Sequence, residues 1–487
     1  MKTTMRSLPA AFLAMAKAGM AYALATDPLI GKRVFTQFDA DLMKGPRALD
    51  DEGRANTLII PAKDQRGARV YRVKKAKSDW FLLQDESSGI SGWVQRVSIL
   101  PYDQAIDFYT EQIRISKISC HYGWRALVRI EMGEFDEAIT DLNEAIRLDP
   151  EDVTAYHIRG LAWSETQDYD KAIVDLNEAI RLSPEDASVY IARGSAWVDK
   201  TDYEKAIADY NEAIRLDPEH VSAYQNRGLA WSETQDYDKA IVDFNQAIRL
   251  DPKSASTYLN RGLAYVGKLD YDKAIADYGQ AIRLDPKMAL AYSARGFARD
   301  AKREWDESIA DYSVAIRLDP TSVLAYHNRG LVWAETQDYD KAIADFGEAI
   351  RLDPEDAAAY CARGSAWADT MDYEKAIADY DEAIRLDPGR AWHHSARAGL
   401  WAACPDEKLR DGTRAVESAT RGCELSDWND ANPLSILAAS YAEAGGFDKA
   451  VEWQERAIAL NGDRDNKDIW VEHLGLYREE KPLRFGE

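Results

Sequence analysis

The chain has 487 residues and a formal net charge of -23, several times the common domain size, which excludes a single compact core and calls for several units or an elongated array. The acid is uneven: residues 1–118 hold 18 Lys/Arg against 13 Asp/Glu, leaving -28 to residues 119–487. A surface that negative repels phosphate backbones and anionic lipid heads, which argues against nucleic acid and membrane surfaces as partners and biases the expectation towards neutral or basic protein segments. The chain opens with Lys2 and Arg6 ahead of an apolar stretch that ends in Ala23-Leu24-Ala25, the small-residue pattern of a signal-peptidase site. Lys17 interrupts that stretch, so a cleaved export signal over residues 1–25 and an uncleaved N-terminal helix both stay open. The first would put the protein in the periplasm or cell envelope, the second in the cytoplasm. No other stretch approaches the ~20 apolar residues of a membrane span.

Residues 28–100 change character. Val34, Phe35, Leu58, Ile59, Ile60, Val70, Tyr71, Val73, Phe81, Leu82, Leu83 and Val94 stand in short alternating runs broken by Gly and Asp, which predicts a small β-barrel. The stretch VYRVKKAKSDWFLLQDESSGISGWVQ resembles bacterial SH3-like domains, in which a strand with Trp is followed by a turn and Gly-Trp-Val. Residues 102–118 then read as one amphipathic helix without a partner, placed to cap the helical array that begins at residue 119.

From residue 119 to 390 one pattern returns every 34 residues, eight times without a gap. Tyr156, Tyr190, Tyr224, Tyr258, Tyr292, Tyr326 and Tyr360 keep register with Gly160, Gly194, Gly228, Gly262, Gly296, Gly330 and Gly364, and prolines from Pro150 to Pro388 close the units. Within a unit two apolar stripes at helical spacing flank a polar turn, as at Glu165 to Asp168, which predicts a helical hairpin. Gly160 and Ala172 let the two helices approach; Trp163, Tyr169 and Leu176 fill the space beside them; Pro184 ends one hairpin and begins the next. A hairpin cannot bury both faces alone, whereas a stack can.

This spacing of a large residue, Gly, an aromatic, two Ala and a Pro resembles the tetratricopeptide repeat family over about 350 residues. The resemblance implies a mainly α fold, a right-handed superhelical α-solenoid behind the small barrel, with the first helix of each unit lining an inner groove for a peptide or partner helix. Residues 391–430 read as a lengthened ninth unit, with the inserted turn AACPDEKLRDG, and 431–464 as a final unit without its Pro. Residues 465–487 read as a capping helix and a frayed tail, and this ending resembles repeat proteins of planctomycete-type bacteria.

The residue before each repeated Arg-Gly alternates between apolar and Asn: Asn226, Asn260 and Asn328 interrupt Ile158, Ala192, Ala294 and Ala362. An Asn side chain can pair with the backbone of an extended ligand, and the series resembles a fragment of the asparagine ladder in the repeat arm of eukaryotic O-GlcNAc transferases; simple solvation stays open. With His157, Gln225 and His327 on the same helices, they are the expected groove-lining set. Glu165, Glu233 and Glu335, with Asp199 and Asp369, end the first helices as an acidic row, either attracting Lys/Arg of a partner or merely solvated. The repeated Arg159, Arg193, Arg227, Arg261, Arg295, Arg329 and Arg363 are each followed 16 residues on by Asp175, Asp209, Asp243, Asp277, Asp311, Asp345 and Asp379, which reads as a structural Arg–carboxylate pair across the hairpin rather than an anion-binding stripe.

The carboxylate clamp used by co-chaperones of the family needs Lys on the inner helices, and none is there, so acidic tails are not expected ligands. His393 and His394 point about 100° apart on a helix and cannot share a metal ion. None of the four cysteines sits in a CxxC pair; Cys120, Cys361 and Cys423 are expected to pack as small apolar side chains, and Cys404 and Cys423, near the ends of successive antiparallel helices roughly 18 Å apart, are too far apart for a disulfide. No GxSxG, HExxH, Walker or dinucleotide pattern occurs, so no enzyme and no cofactor is expected. The expected function is a protein-interaction scaffold of unknown oligomeric state, with two alternatives: an accessory repeat arm of an enzyme such as a glycosyltransferase, and a cell-wall protein anchored through the barrel.

Overall fold

The computed structural model describes residues 105–461 and 467–485, together with the backbone of seven short strands between Arg33 and Pro101. The export signal expected over residues 1–25, the side chains of the expected barrel and the stretches between its strands lie outside the described residues. The strands are β1 (Arg33–Thr36), β2 (Arg47–Leu49), β3 (Ala55–Thr57), β4 (Val70–Lys77), β5 (Trp80–Asp85), β6 (Ser91–Gln95) and β7 (Ile99–Pro101). Five of them pair antiparallel in the order β6-β5-β4-β1-β7, and β2 pairs with β3.

The rest of the described chain is mainly helical, with 22 α-helices, none long and apolar enough to cross a membrane. The chain divides into two compact units, Met1–Leu269 and Asp270–Glu487. In the first, a single helix (Ala105–Ile115) leads into four hairpins, of which Val153–Glu165 with Tyr169–Leu182 and Val221–Glu233 with Tyr237–Leu250 are typical, and Ala255–Gly267 closes it. Tyr109 of the leading helix stacks on Trp124 with ring centroids 6.5 Å apart, which covers the opening face of the first hairpin. The second unit opens with Tyr271–Leu284 and carries five hairpins, ending with Ala391–Ala403/Gly412–Leu425 and Ala431–Glu443/Phe447–Asn461, then helix Lys467–Arg478.

Local sequence explains each hairpin. In Tyr169–Leu182 the residues Ala172, Ile173, Leu176 and Ala179 fall on one face and are buried, the stripe a packed helix requires. Asp152 and Asp168 cap the two helices by accepting from the Ala155 and Lys171 amides at 3.0 and 3.3 Å. Between them Gln167 turns to φ 62°, its amide donating to the Ser164 carbonyl while the Asp168 amide donates to that of Trp163, both at 2.9 Å. This left-handed helix stop recurs at Thr201 and Gln235 in the first unit and at Arg303, Gln337 and Met371 in the second.

The helices of a hairpin cross where a glycine meets a large side chain. A Cβ on Gly160 would lie 2.8 Å from Leu176, one on Gly194 2.6 Å from the Tyr210 ring, and one on Gly228 2.8 Å from the Phe244 ring. Each crossing is locked by an ion pair. Arg159 donates from Nε and Nη2 to the two oxygens of Asp175, both at 2.6 Å, and from Nη1 to Asn143 of the preceding hairpin at 2.7 Å. Arg193 and Arg227 repeat this on Asp209 with Asn177 and on Asp243 with Asn211. The arginine therefore ties its own hairpin and the previous one together. In the second unit Arg295, Arg329 and Arg363 hold Asp311, Asp345 and Asp379 in the same bidentate way.

Candidate binding surface

The first helices carry the residues expected to line a groove, and the structure divides them into two kinds. Gln225 donates to Thr257 Oγ1 at 2.5 Å and to Ser254 at 3.3 Å, across to the start of the next first helix. Asn226 is half-buried beside the Tyr210 hydroxyl of the preceding hairpin. Asn260 and Asn328 are buried, and Asn328 lies beside the Tyr312 hydroxyl of the preceding hairpin as Asn226 lies beside that of Tyr210. His157 is half-buried, and burial lowers its imidazole pKa against the pull of Asp186. His327 repeats that arrangement: its Nδ1 lies 3.9 Å from Asp356, its ring meets Phe346 edge-on, and burial again lowers its pKa. These side chains sit largely between successive hairpins, where a first helix packs against its neighbours.

The ends of the first helices are the open part. Glu165 and Glu335 are exposed, and Glu233 is half-buried with the Tyr203 hydroxyl 3.5 Å from its carboxylate. Asp199 stands between Glu165 and Glu233 in register, its pKa raised by burial and then by Glu165. In the second unit the pKa of Asp300 is pushed up to about 6, by burial first and by Glu335 second. A carboxyl raised in this way binds its proton more tightly folded than unfolded, so its contribution to stability is present at acid pH and is lost as pH rises through about 6. Asp300→Asn is therefore expected to raise stability by about 1–2 kcal/mol near neutral pH and to lose that advantage by about pH 4. Thermal denaturation of both chains across that range measures it, and a gain that persists at acid pH would refute the account.

His393 and His394 each turn to a different backbone carbonyl, His393 Nδ1 lying 3.2 Å from that of Asp387 and His394 Nε2 3.1 Å from that of Pro388. All four cysteines are free; Cys361, Cys404 and Cys423 are buried, but Cys120, expected to pack as a small apolar side chain, is exposed, because it stands in the first turn of Ser119–Glu131 off the face that buries Tyr122, Ala126 and Val128.

One group was missed from sequence. The segment after the last helix, read as a frayed tail, folds back on the chain: the Phe485 amide donates to the Ala403 carbonyl at 2.9 Å, and Arg484 pairs with Glu443 at 2.7 Å. Glu443 is the register equivalent of Glu165, and aligning AEAGGFDKA (442–450) with SETQDYDKA (164–172) would have placed it in the acidic row.

Models of the tetratricopeptide repeat match residues 125–187, 255–288 and 328–391, and a TPR-repeat model matches 194–233 and 232–268. The chain matches no curated protein. Among solved structures it is similar to yeast Tom70, at 16% identity over 78% of this chain and 92% of that one, with a TM-score of 0.40. A tetratricopeptide repeat protein from Parabacteroides merdae shares 19% identity over 53% of this chain and 99% of that one, with a TM-score of 0.42. YrrB, a TPR protein with an unusual peptide-binding site, shares 23% over 39% of this chain and 99% of that one, with a TM-score of 0.33. From the 34-residue register, the glycine-locked hairpins and the matching repeat models together, the chain carries tetratricopeptide repeats across these segments.

Proposed function

We propose that the chain is a non-enzymatic scaffold that holds proteins or peptides on the inner side of its first helices, with neutral to basic segments as ligands. The observation that carries this reading is the acidic row: Glu165, Asp199 and Glu233 in the first unit and Glu335 and Asp369 in the second recur at the same place in their repeats, and all but the half-buried Glu233 are exposed. Such a row attracts Lys and Arg without fixing their sequence. Asn226 is the asparagine of the series best placed to add a backbone contact, since Asn260 and Asn328 are buried. The antiparallel order β6-β5-β4-β1-β7 supports an SH3-like module ahead of the repeats, and two linked modules on one ligand raise apparent affinity through effective concentration. We place this module at 28–100, the eight regular repeats at 119–390 and an exported location behind the first 25 residues.

The test is capture from lysate and envelope fractions of the native host on the full chain. Beside it run one variant carrying Glu165→Lys, Glu233→Lys and Glu335→Lys and another carrying Asn226→Ala, Asn260→Ala and Asn328→Ala. A partner kept by the native chain, lost on charge reversal at unchanged melting temperature and released by about 0.5 M salt is the expected result. Equal retention by the native chain and the charge-reversed variant would remove the acidic row as the binding surface.

A further inference from the structure

The ninth hairpin breaks the rule for closing a first helix. In a regular unit the left-handed residue of the turn donates its amide back to a carbonyl of the last helical turn that would otherwise be left to solvent, as Gln337 and Met371 donate to Ala334 and Ala368 at 3.0 Å. Ala402 is the register equivalent of those acceptors, but residues 404–411 form a longer connection with a 3-10 turn at Glu407–Leu409, and no such amide returns to it. The last turn of a helix leaves carbonyls that need donors and favours positive charge. Both needs are met by the segment after the final helix. Glu480 turns to φ 56°, the Lys481 amide closes on the Leu476 carbonyl at 2.9 Å, and Pro482 to Phe485 run back across Ala402 and Ala403. Arg484 Nη1 reaches the Ala402 carbonyl at 3.4 Å and Glu443 Oε2 at 2.7 Å, and the Phe485 amide takes the Ala403 carbonyl at 2.9 Å. Leu483 packs against the cluster of Ala438, Ala442 and Tyr477, and Phe485 against that of Tyr380 and Leu400.

We infer that this surface is a peptide-binding site, occupied here by the chain's own Leu483-Arg484-Phe485, and that its ligand is an extended segment with an arginine followed by an aromatic residue. The contacts have the composition of peptide recognition rather than of a core: one main-chain hydrogen bond, one guanidinium contact to a main-chain carbonyl, one charge-assisted pair and two side-chain seats. The occupant is also replaceable. Glu443 is held on its other oxygen by Arg410 at 3.0 Å, and Arg410 is itself fixed by the Cys404 and Pro405 carbonyls at 3.1 and 3.2 Å. When Arg484 leaves, the half-buried carboxylate keeps one guanidinium, so release leaves no uncompensated charge behind. A tethered segment competes at an effective concentration of about millimolar, which makes it a built-in gate on the site. The inference is independent of the inner acidic row of the earlier repeats, because Glu443, Arg410 and the carbonyls of Ala402 and Ala403 all belong to the last two hairpins.

The experiment uses the full chain and a labelled peptide with the sequence of residues 481–487. A chain carrying Arg484→Ala and Phe485→Ala is expected to bind this peptide about tenfold or more tightly than the native chain, whose own segment competes. A peptide with Ala in place of its Arg and Phe is expected not to bind, and adding Glu443→Gln to the emptied chain is expected to weaken binding about tenfold. If the emptied chain keeps its helical content and binds no more peptide than the native chain, the segment is a fixed structural closure and the inference fails. Should the emptied chain not fold, hydrogen exchange on the native chain decides: millimolar peptide must speed exchange of the Phe485 amide, which donates to the Ala403 carbonyl, and unchanged exchange overturns the inference.

Discussion

Arg227→Ala is expected to destabilise the first unit by about 3–5 kcal/mol, a large part of the stability of any small cooperative unit. The guanidinium donates to both oxygens of Asp243 at 2.8 and 2.6 Å and to Asn211 at 2.5 Å, and it lies over the Tyr224 ring with its carbon 5.7 Å from the centroid. Asp243 is 3% exposed, so removing the arginine leaves a carboxylate in the stack with neither water nor a countercharge. Because Arg227 also joins two hairpins, the loss strikes the interface term that couples neighbouring repeats, and the unfolding transition should broaden as the array loses cooperativity. Replacing both partners, as Arg227→Leu with Asp243→Leu, should cost less than Arg227→Ala alone, because no charge is then stranded. Denaturant titration of the three chains measures this. A large loss of partner affinity with an unchanged melting temperature would assign the arginine to binding instead.

Gly228→Val should cost about 3 kcal/mol, for steric reasons. A Cβ at Gly228 would lie 2.8 Å from Cε1 and 3.0 Å from Cδ1 of Phe244, and that ring is fully buried, so the hairpin must open for the branched side chain to enter. Gly123 offers the contrast: it is also helical, but a Cβ there meets nothing within 4 Å. Gly123→Ala should therefore raise stability by about 0.5–1 kcal/mol, the ordinary gain from removing a helical glycine. Opposite signs at the two glycines are the expected outcome of thermal unfolding; the same sign at both would show that close approach is not what the repeated glycine provides.

Much of this molecule is legible because the same solution is written many times. The hairpins follow from two apolar stripes and a closing proline, and the pairing of Arg159 with Asp175 follows from a spacing of 16 that carries a residue from one helix of the hairpin to the facing place on the other. The left-handed turn was not legible, since Gln167, Thr201, Leu269 and Met371 share no chemistry that favours a positive φ. Its cause is the short connection between helices, which forces whichever residue stands there into that conformation. Nor does the sequence distinguish Glu165, which is exposed, from Asn260, which is buried, though both recur on first helices at regular intervals. The rotation of one hairpin on the next decides which positions of a first helix meet solvent and which meet a neighbour.

By itself the sequence determined the repeat, the helical hairpin, the glycine that admits the large side chain and the sign of the surface charge, because each depends on contacts within one or two units and is repeated in register. Only the tertiary structure decided that Gln225 is engaged by Thr257, that Asn328 is buried, and that Arg484 returns to Glu443 across 41 positions of chain. The first two depend on how one hairpin is rotated on the next and the third on a return of the chain that follows no period, so all of them exist only where packing has already brought the partners together.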